Sequence, residues 1–412
     1  MILLYLHQYF HFPWENGSTR SYDLAKQFSE NGIQVEILTS TSDKRLKSTS
    51  RWNMICHEGF IVHYVYLPYG NHLNYFQRIV VFIQFLWYST FKLMSIKCDL
   101  ILATSTPLTI GIPALIKKWL SKTPFIFEVR DVWPETVIAI GAVENKLLQN
   151  VLFCLEKLVY KNANVIVPLS IDMQKSINSR YPRFKEKTNI VIENISEINR
   201  FQTDQTKINL VDFLGFKPRF SVLYAGTFGK VNGIHTVIEL AEKTFKLDKK
   251  LVYILIGSGA EKQNVLELAI EKDLLNRNVF ILDPVSKNDL PLWYKAVSMG
   301  MSFVMDKPEL WANSANKFFD TLASGKPILI NHEGWQAETI RSRNIGYVLS
   351  YNISDNDAEG FVAYSYDTEL VDKQKFHAHE LAKEIYSLEF ATKRYLKVFE
   401  NIGIFNKVIS DK

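Results

Sequence analysis

The stretch Asn316–Pro327 carries one cation and one carboxylate that a single ligand could contact together. Lys317 and Asp320 are three residues apart, which puts both side chains on one face of a helix that ends at Gly325. An ammonium can hold a phosphate, and a carboxylate can accept hydrogen bonds from a ribose diol. The pair therefore predicts a site for a phosphorylated, hydroxyl-bearing ligand, with an incidental exposed ion pair as the alternative.

Glycine-rich turns follow three apolar runs and precede helical segments, at 226–233, 256–259 and 13–19. Such a turn is a ready anion site, because unpaired backbone N–H groups point outward and glycine allows close approach. The ligand-contacting residues that we predict in these turns are Gly17, Gly226, Thr227, Lys230 and Gly257. Each turn alone could be a plain connection, but three at the carboxyl ends of strands indicate one ligand cleft.

The densest polar cluster of the first half follows the apolar run at 125–129. Glu128, Asp131 and Glu135 could polarise an acceptor hydroxyl, with Arg130 as a partner. An Arg and Asp pair that only fixes the loop is the alternative. The position favours chemistry, because functional groups collect at the carboxyl ends of parallel strands.

The chain gives no strong sign of a metal site. Asp355 and Asp357 have the spacing that holds a divalent cation on nucleotide phosphates, but Ser354 before them favours a capped helix start. The histidines form no pair of metalloprotease type. We therefore expect no metal. Among the histidines, only His7 and His11, near the first-domain glycine turn, are candidates for a role in the site.

Composition bounds the kind of protein. With 412 residues, 47% hydrophobic and 22% charged, the chain is globular and long enough for two domains. A net charge of +5 is too small to indicate a nucleic-acid partner. The three cysteines are far apart, which predicts a reduced cytosolic protein, and the apolar start at 1–6 reads as a strand rather than a signal peptide.

Short apolar runs alternate with longer amphipathic segments, as in βα units with parallel sheets. The predicted strands are 2–7, 34–39, 61–66, 100–104, 125–129, 165–168 and 190–192, then 222–225, 252–256, 279–282, 300–303 and 328–330. The main predicted helices are 20–30, 74–96, 108–120, 146–161, 171–179 and 388–402. We predict an α/β protein of two doubly wound domains, 1–198 and 199–387, with segment 388–405 packing back on the first.

The helix predicted within 75–97 is apolar on nearly every side and rich in aromatic residues. It is too short to span a bilayer, which takes about 20 apolar residues. Two alternatives follow: a buried helix, or a helix in a membrane interface with its tryptophan, tyrosine and flanking cations at the headgroups.

These residues together resemble family 4 of the retaining glycosyltransferases, over almost the whole chain. The most specific parts are the runs 99–108, 130–135, 156–160 and 316–327. Within the family the chain is similar to bacterial O-antigen and capsule transferases that use UDP-activated N-acetylated amino sugars, such as N-acetylfucosaminyl transferases. The resemblance implies the GT-B fold, in which two Rossmann-like domains face each other across a cleft.

The resemblance also implies roles for residues. Asp320 takes the place of the glutamate that holds the ribose, and Lys317 with Asn316 lies against the pyrophosphate beside the 226–233 turn. Gly17 fits the first-domain glycine loop that faces the phosphates. Asp131 falls near the group that contacts the reacting sugar, and we assign catalytic roles to Asp131, Arg130 and Lys317.

The chain departs from the family pattern at several positions. The first of two family glutamates is Ala312 here, and the second is shortened to Asp320. The basic residues of the glycine turn are replaced by Thr227 and Asn232. We therefore expect Lys317, together with Lys230, to supply the missing charge on the leaving group.

The implied activity is transfer of an N-acetylated amino or deoxy sugar from UDP to a saccharide on undecaprenyl diphosphate, with retention and without a metal or other cofactor. The implied place is the inner face of the bacterial plasma membrane, as a cytoplasmic peripheral protein in O-antigen or capsule synthesis. Two alternatives remain: a catalytically silent subunit that binds UDP-sugar, suggested by Ala312, and a UDP-sugar epimerase of GT-B type.

Overall fold

A computed structural model describes residues 1–15, 17–68, 75–202, 206 and 208–405, which form two compact units. Unit 1 comprises Met1–Phe12, Ser18–Glu193 and the chain from Leu388 onward, and unit 2 comprises Pro13–Gly17 and Asn194–Ser387. The sequence placed the boundary at 198, and the structure divides the chain after Glu193. Each unit is a Rossmann-like α/β domain with a parallel-sheet core, as predicted.

Unit 1 contains a seven-stranded sheet in the order β3-β4-β2-β1-β5-β6-β7. Its strands are β1 (Ile2–Leu6), β2 (Gln34–Thr41), β3 (Trp52–His57), β4 (Phe60–Tyr66), β5 (Leu100–Thr104), β6 (Phe125–Val129) and β7 (Val165–Pro168). All neighbours are parallel except β3 and β4, which form a hairpin at the sheet edge. Strands β5 and β6 are buried along their whole length, as expected of parallel strands covered on both faces.

Unit 2 contains a six-stranded sheet in the order β10-β9-β8-β11-β12-β13, and all neighbouring pairs are parallel. Its strands are β8 (Phe220–Ala225), β9 (Leu251–Ile256), β10 (Val279–Leu282), β11 (Met299–Ser302), β12 (Ile328–Ile330) and β13 (Gly346–Val348). The strand order reverses between β8 and β11, and ligands of such sheets bind at the carboxyl ends of the strands beside that reversal.

Helices cover the two sheets. In chain order they are α1 (Arg20–Glu30), α2 (Tyr75–Ser95), α3 (Gly111–Ser121), α4 (Glu135–Ala139), α5 (Lys146–Asn162), α6 (Ile171–Arg180), α7 (Ile198–Phe201), α8 (Leu210–Leu214), α9 (His235–Leu247), α10 (Lys262–Glu271), α11 (Leu290–Ala296), α12 (Pro308–Trp311), α13 (Asn316–Ala323), α14 (Trp335–Arg343), α15 (Asp355–Tyr366), α16 (Thr368–Glu384) and α17 (Leu388–Asn401). The last, α17, packs on α1, where the ring of Phe28 lies 5.7 Å from that of Tyr395.

Helix α2 buries one face and exposes another. Val81, Phe85, Ser89 and Leu93, spaced by four residues, are buried in unit 1. The exposed face is apolar as well, with Val80, Ile83, Trp87 and Phe91 all more than one third exposed. A fully buried helix is therefore the wrong alternative. Among the described residues, no helix has both the length and the hydrophobicity needed to cross a membrane.

Candidate active site

Helix α13 carries Lys317 and Asp320 and lies close against the sheet of unit 2. Phe319 anchors its apolar side in a buried cluster. Gly300, in β11, allows the close approach, since a Cβ there would lie 2.2 Å from the Thr321 hydroxyl oxygen. The helix begins at the edge of the sheet where the strands have their carboxyl ends. Lys317 and Asp320, in its first two turns, therefore lie near that edge.

Lys317 lies beside the glycine turn after β8. Its Nζ donates to Asn232 Oδ1 at 3.1 Å and sits 5.1 Å from the centre of the Tyr224 ring. A Cβ on Gly226 would come 3.3 Å from Lys317 Cδ, so the glycine leaves room for the lysine. Burial lowers the pKa of Lys317 to about 8, although nearby Asp320 opposes the shift. The ammonium is therefore held by neutral groups in a place that disfavours its charge.

Asp320 is paired with Lys287, a residue that the sequence analysis did not identify. Lys287 Nζ donates to both carboxylate oxygens, at 2.8 and 2.7 Å. Lys287 follows β10, at the sheet edge where the glycine turns also lie. That position after a strand is the sequence feature from which the residue could have been predicted. The pair spans 33 residues of sequence, so only the fold brings it together.

The two glycine turns of unit 2 pack backbone against backbone. A Cβ on Gly257 would lie 1.8 Å from the Gly226 carbonyl oxygen, and one on Gly259 would lie 2.4 Å from that of Phe228. The N–H of Phe228 donates to the Ser258 carbonyl at 2.8 Å. These glycines are thus required by the packing of the turns, whatever else they contact.

The other residues predicted for the donor site have different surroundings. The side-chain oxygen of Asn316 accepts from the Asn194 amide. Thr227 is exposed, and its carbonyl accepts from the Tyr224 hydroxyl at 2.6 Å. Lys230 is also exposed and lines a cavity of about 480 Å³ with residues of α9 and α10. The structure therefore brings Lys317 to the glycine turn and places the exposed Lys230 at a cavity that Gly229 of the same turn also lines.

In unit 1, Arg130 is joined to the turn after β1. Its guanidinium donates to His7 Nε2 at 3.1 Å and to Ser18 Oγ at 3.0 Å. Because arginine only donates, Nε2 of His7 accepts and its Nδ1 carries the proton given to Ser21 Oγ, 2.8 Å away. Burial and the charge of Arg130 hold the pKa of His7 well below its usual value. His7 is thus a neutral imidazole of defined tautomer.

Asp131 is the predicted carboxylate that stays outside ion pairs in the described structure. It accepts a hydrogen bond from Thr106 Oγ1 at 3.0 Å, while Arg130 bonds to other partners. Burial raises the pKa of Asp131, with Thr106 and Arg130 opposing the shift. The loop-fixing Arg130 and Asp131 pair is therefore wrong. Glu135 pairs with Arg180 and also accepts a hydrogen bond from Ser176 Oγ at 2.8 Å.

Glu128 belongs to a buried structural network. It accepts from Arg20 Nη2 at 3.1 Å, from Thr104 Oγ1 at 2.6 Å and from the Tyr395 hydroxyl. Burial alone would raise the pKa of Glu128, but Arg20, Arg130 and these hydrogen bonds lower it. Glu128 thus links β6, α1 and α17, and its oxygens are saturated by protein donors.

Two further predictions have structural answers. Gly17 is exposed in the connection between β1 and α1. The Ser354 side chain accepts from the backbone N–H of Asp357 in a capping box, and Asp355 pairs with Lys243, so the Asp355 to Asp357 motif is a helix start. Within the described ranges, no three His, Cys, Asp or Glu side chains cluster as metal ligands would.

Two family models match the chain in tandem. The one described as Glycosyltransferase Family 4 matches residues 17–195, and the one described as Glycosyl transferases group 1 matches residues 212–369. Together they cover every strand of the two sheets except β1. The chain belongs to the glycosyltransferases of this two-domain type.

Known proteins agree at the level of the fold. Sucrose-phosphate synthase from Thermosynechococcus elongatus superposes with a TM-score of 0.74 at 14% identity, covering 98% of this chain and 99% of that one. HepE of Anabaena, solved with UDP and glucose, gives 0.70 at 16% identity, over 97% and 100% of the two chains. The fold is thus the GT-B fold.

The curated sequence relatives match only part of the chain. The spore coat protein SA of Bacillus subtilis is 23% identical over 200 residues, 45% of this chain and 50% of that protein. The chain spans roughly half to three fifths of the length of the curated relatives that it matches. These relatives support membership of the family and leave substrates to be argued from the site.

Proposed function

We propose that the protein is a glycosyltransferase that moves a sugar from a UDP-sugar to a saccharide acceptor. The observation that carries the proposal is Lys317, whose ammonium lies beside Gly226 with Asp320 one helical turn further on. A diphosphate on the turn after β8 would meet that ammonium. A ribose would then fall toward Asp320. UDP is bound by a protein of the same fold, HepE.

Leaving-group stabilisation is the main task of such a reaction, because UDP departs with negative charge on its diphosphate. Lys317 can supply the compensating charge without a metal. Its lowered pKa, about 8, makes the ammonium especially responsive to an arriving anion, since a nearby opposite charge favours the charged form.

We assign the acceptor to unit 1. Asp131 can accept a hydrogen bond from the acceptor hydroxyl, and its position outside ion pairs leaves its oxygens available for this. Arg130, held by His7 and Ser18, has a fixed orientation beside it. A front-side attack, in which a phosphate oxygen of the donor takes the acceptor proton, needs no further base from the protein. That route retains the anomeric configuration.

The finer assignment follows the resemblance to bacterial surface-polysaccharide enzymes. We propose an N-acetylated amino or deoxy sugar as the donor group and a lipid-linked saccharide, on undecaprenyl diphosphate, as the acceptor. O-antigen or capsule synthesis on the inner face of the plasma membrane would be the setting. Thermal unfolding against a panel of UDP-sugars tests the donor, because a ligand bound to the folded state raises its melting temperature.

Transfer assays separate the alternatives. A transferase releases UDP and forms product only when the acceptor is present. Sugar isomerisation without acceptor would instead indicate an epimerase. Binding of UDP without any transfer would indicate a silent subunit.

Helix α2 is the part of unit 1 that we propose touches the membrane. Ile83, Trp87 and Phe91 are each more than half exposed on one helix face, and Arg51 lies over the Tyr88 ring at 4.8 Å. Aromatic rings and cations on one surface suit the headgroup region. Sedimentation with anionic vesicles should fall several-fold for Trp87→Ser with Phe91→Ser and stay unchanged for Phe376→Ser, an exposed phenylalanine of unit 2.

A further inference from the structure

The ion pair between Lys287 and Asp320 is built more firmly than a surface contact. Nζ of Lys287 reaches both oxygens of Asp320, and the two side chains are only 10% and 8% exposed. Desolvated charges are retained where their remaining hydrogen-bonding capacity is also used. A ligand could contact the 10% of the Lys287 side chain and the 8% of the Asp320 side chain that remain exposed.

The loop that carries Lys287 is closed by its own hydrogen bonds. Ser286 Oγ donates to Asp289 Oδ2 at 2.6 Å, and the Asp289 N–H donates to the Ser286 carbonyl at 3.1 Å. The loop leaves β10 where the Leu282 carbonyl accepts from the N–H of Gly257 at 3.1 Å. Lys287 is therefore presented from a closed turn next to the glycine turns, and the ion pair is not needed to shape that turn.

We propose that Lys287 and Asp320 together recognise the ribose of the nucleotide, with Lys287 as a direct contact. This inference rests on the proposed UDP-sugar donor. An ammonium has three protons and a carboxylate about four lone-pair sites, and the pair uses two of each. Asp320 can still accept from the two ribose hydroxyls, while the third proton of Lys287 can go to a hydroxyl oxygen.

The arrangement also places charge usefully. Lys317 and Lys287 flank Asp320, so these three side chains together carry one net positive charge next to the proposed diphosphate. A neutral diol fits the paired end, and the anionic diphosphate fits the end where the hydrogen bond and the ring contact of Lys317 are to neutral groups. The site thus distinguishes the two parts of a nucleoside diphosphate by their charge.

Calorimetric titration with UDP, 2′-deoxy-UDP and 3′-deoxy-UDP tests the assignment. The wild-type protein should prefer UDP to at least one deoxynucleotide by about tenfold or more, the scale of a lost charge-assisted hydrogen bond. Lys287→Met should weaken the binding of UDP by about tenfold and the binding of the deoxynucleotide much less. The preference for UDP should therefore fall to about threefold. Lys287→Arg should keep most of it. Lys243→Met, which removes another paired lysine of unit 2, should change neither value.

Equal loss for all three nucleotides in Lys287→Met would overturn the inference, because a purely structural lysine affects each ligand alike. A wild-type protein that binds UDP and both deoxynucleotides equally would also overturn it. Failure to bind UDP at all would instead refute the proposed donor. Since Lys287→Met leaves a buried carboxylate unpaired, the double variant with Asp320→Asn provides a neutral pair, and it should lose at least as much of the preference as Lys287→Met alone.

Discussion

In unit 1 the guanidinium of Arg20 is fully buried against the carboxylate of Glu128, 3.1 Å away, whereas in unit 2 the ammonium of Lys317 is held by an amide oxygen and an aromatic ring. Arg20 also donates to the backbone carbonyls of Glu193 and Ile192. All three nitrogen atoms of the Arg20 guanidinium therefore donate to acceptors of the protein. The hydrogen bond and the ring contact of the Lys317 ammonium are both to neutral groups.

The difference separates a cation that holds the fold from one that can serve a ligand. A buried charge with a carboxylate partner has its field cancelled nearby. A charge held by neutral groups keeps its field and attracts anions. Both residues are basic side chains near carboxyl ends of strands, so their partners, rather than their positions, distinguish their roles.

Removing Arg20 should have the largest effect on stability. Arg20→Met leaves Glu128 as an unpaired buried carboxylate, which costs about 3–5 kcal/mol. The melting temperature of the protein should fall by many degrees, and Arg20→Met combined with Glu128→Leu should recover part of the loss. An Arg20→Met protein with the melting temperature of the wild type would contradict the structural role that we give to Arg20.

Removing Lys317 should affect turnover and leave the fold nearly intact. Lys317→Met keeps the length of the side chain and removes the charge, so transfer should slow by about 100-fold to 1,000-fold, as for loss of one key electrostatic donor. Steady-state transfer from the best UDP-sugar measures this. Lys243→Met serves as the control, and a Lys317→Met enzyme of near-normal turnover would remove the lysine from the mechanism.

Asp320→Asn should produce a smaller effect, mainly on binding. The neutral amide can no longer accept charge-assisted hydrogen bonds, which corresponds to about a tenfold to hundredfold loss of UDP affinity. Calorimetry with UDP measures it, and Asp355→Asn, an exposed carboxylate also paired with a lysine, is the matched control. Unchanged affinity in Asp320→Asn would argue against a ribose contact.

Sequence pattern predicted the elements that run through the core. Parallel strands such as β5 and β6 are short, apolar and bounded by turns, so their limits were predicted exactly as observed. Edge elements were missed: β3 has no buried residue, and β13 is a three-residue strand that starts with glycine. The predicted strand at 190–192 is wrong, because there only the Ile192 N–H reaches a neighbouring carbonyl, that of Pro168.

Local spacing gave part of the candidate site. Lys317 and Asp320 share a helix, which the spacing predicted, whereas their position beside the 226–233 turn was implied by the resemblance to family 4. Partners distant in sequence were beyond such reasoning. Arg130 and His7 are 123 residues apart, and Lys287 and Asp320 are 33 apart. That the side chain of Lys317 packs on Gly226 and bonds to Asn232, while Lys230 of the turn is exposed, also depends on side-chain packing that no pattern encodes.

Proton uptake during UDP binding tests most directly whether Lys317 meets the diphosphate. Because burial lowers its pKa to about 8, Lys317 is mostly neutral in the free protein at about pH 8.5, and a bound anion raises that pKa. Calorimetry in buffers of different ionisation enthalpy should therefore show uptake of roughly 0.7 proton at that pH. Affinity should fall as the pH rises above 8, and Lys317→Arg, which stays charged, should show neither effect. Binding of UDP by the wild type without proton uptake would contradict the account.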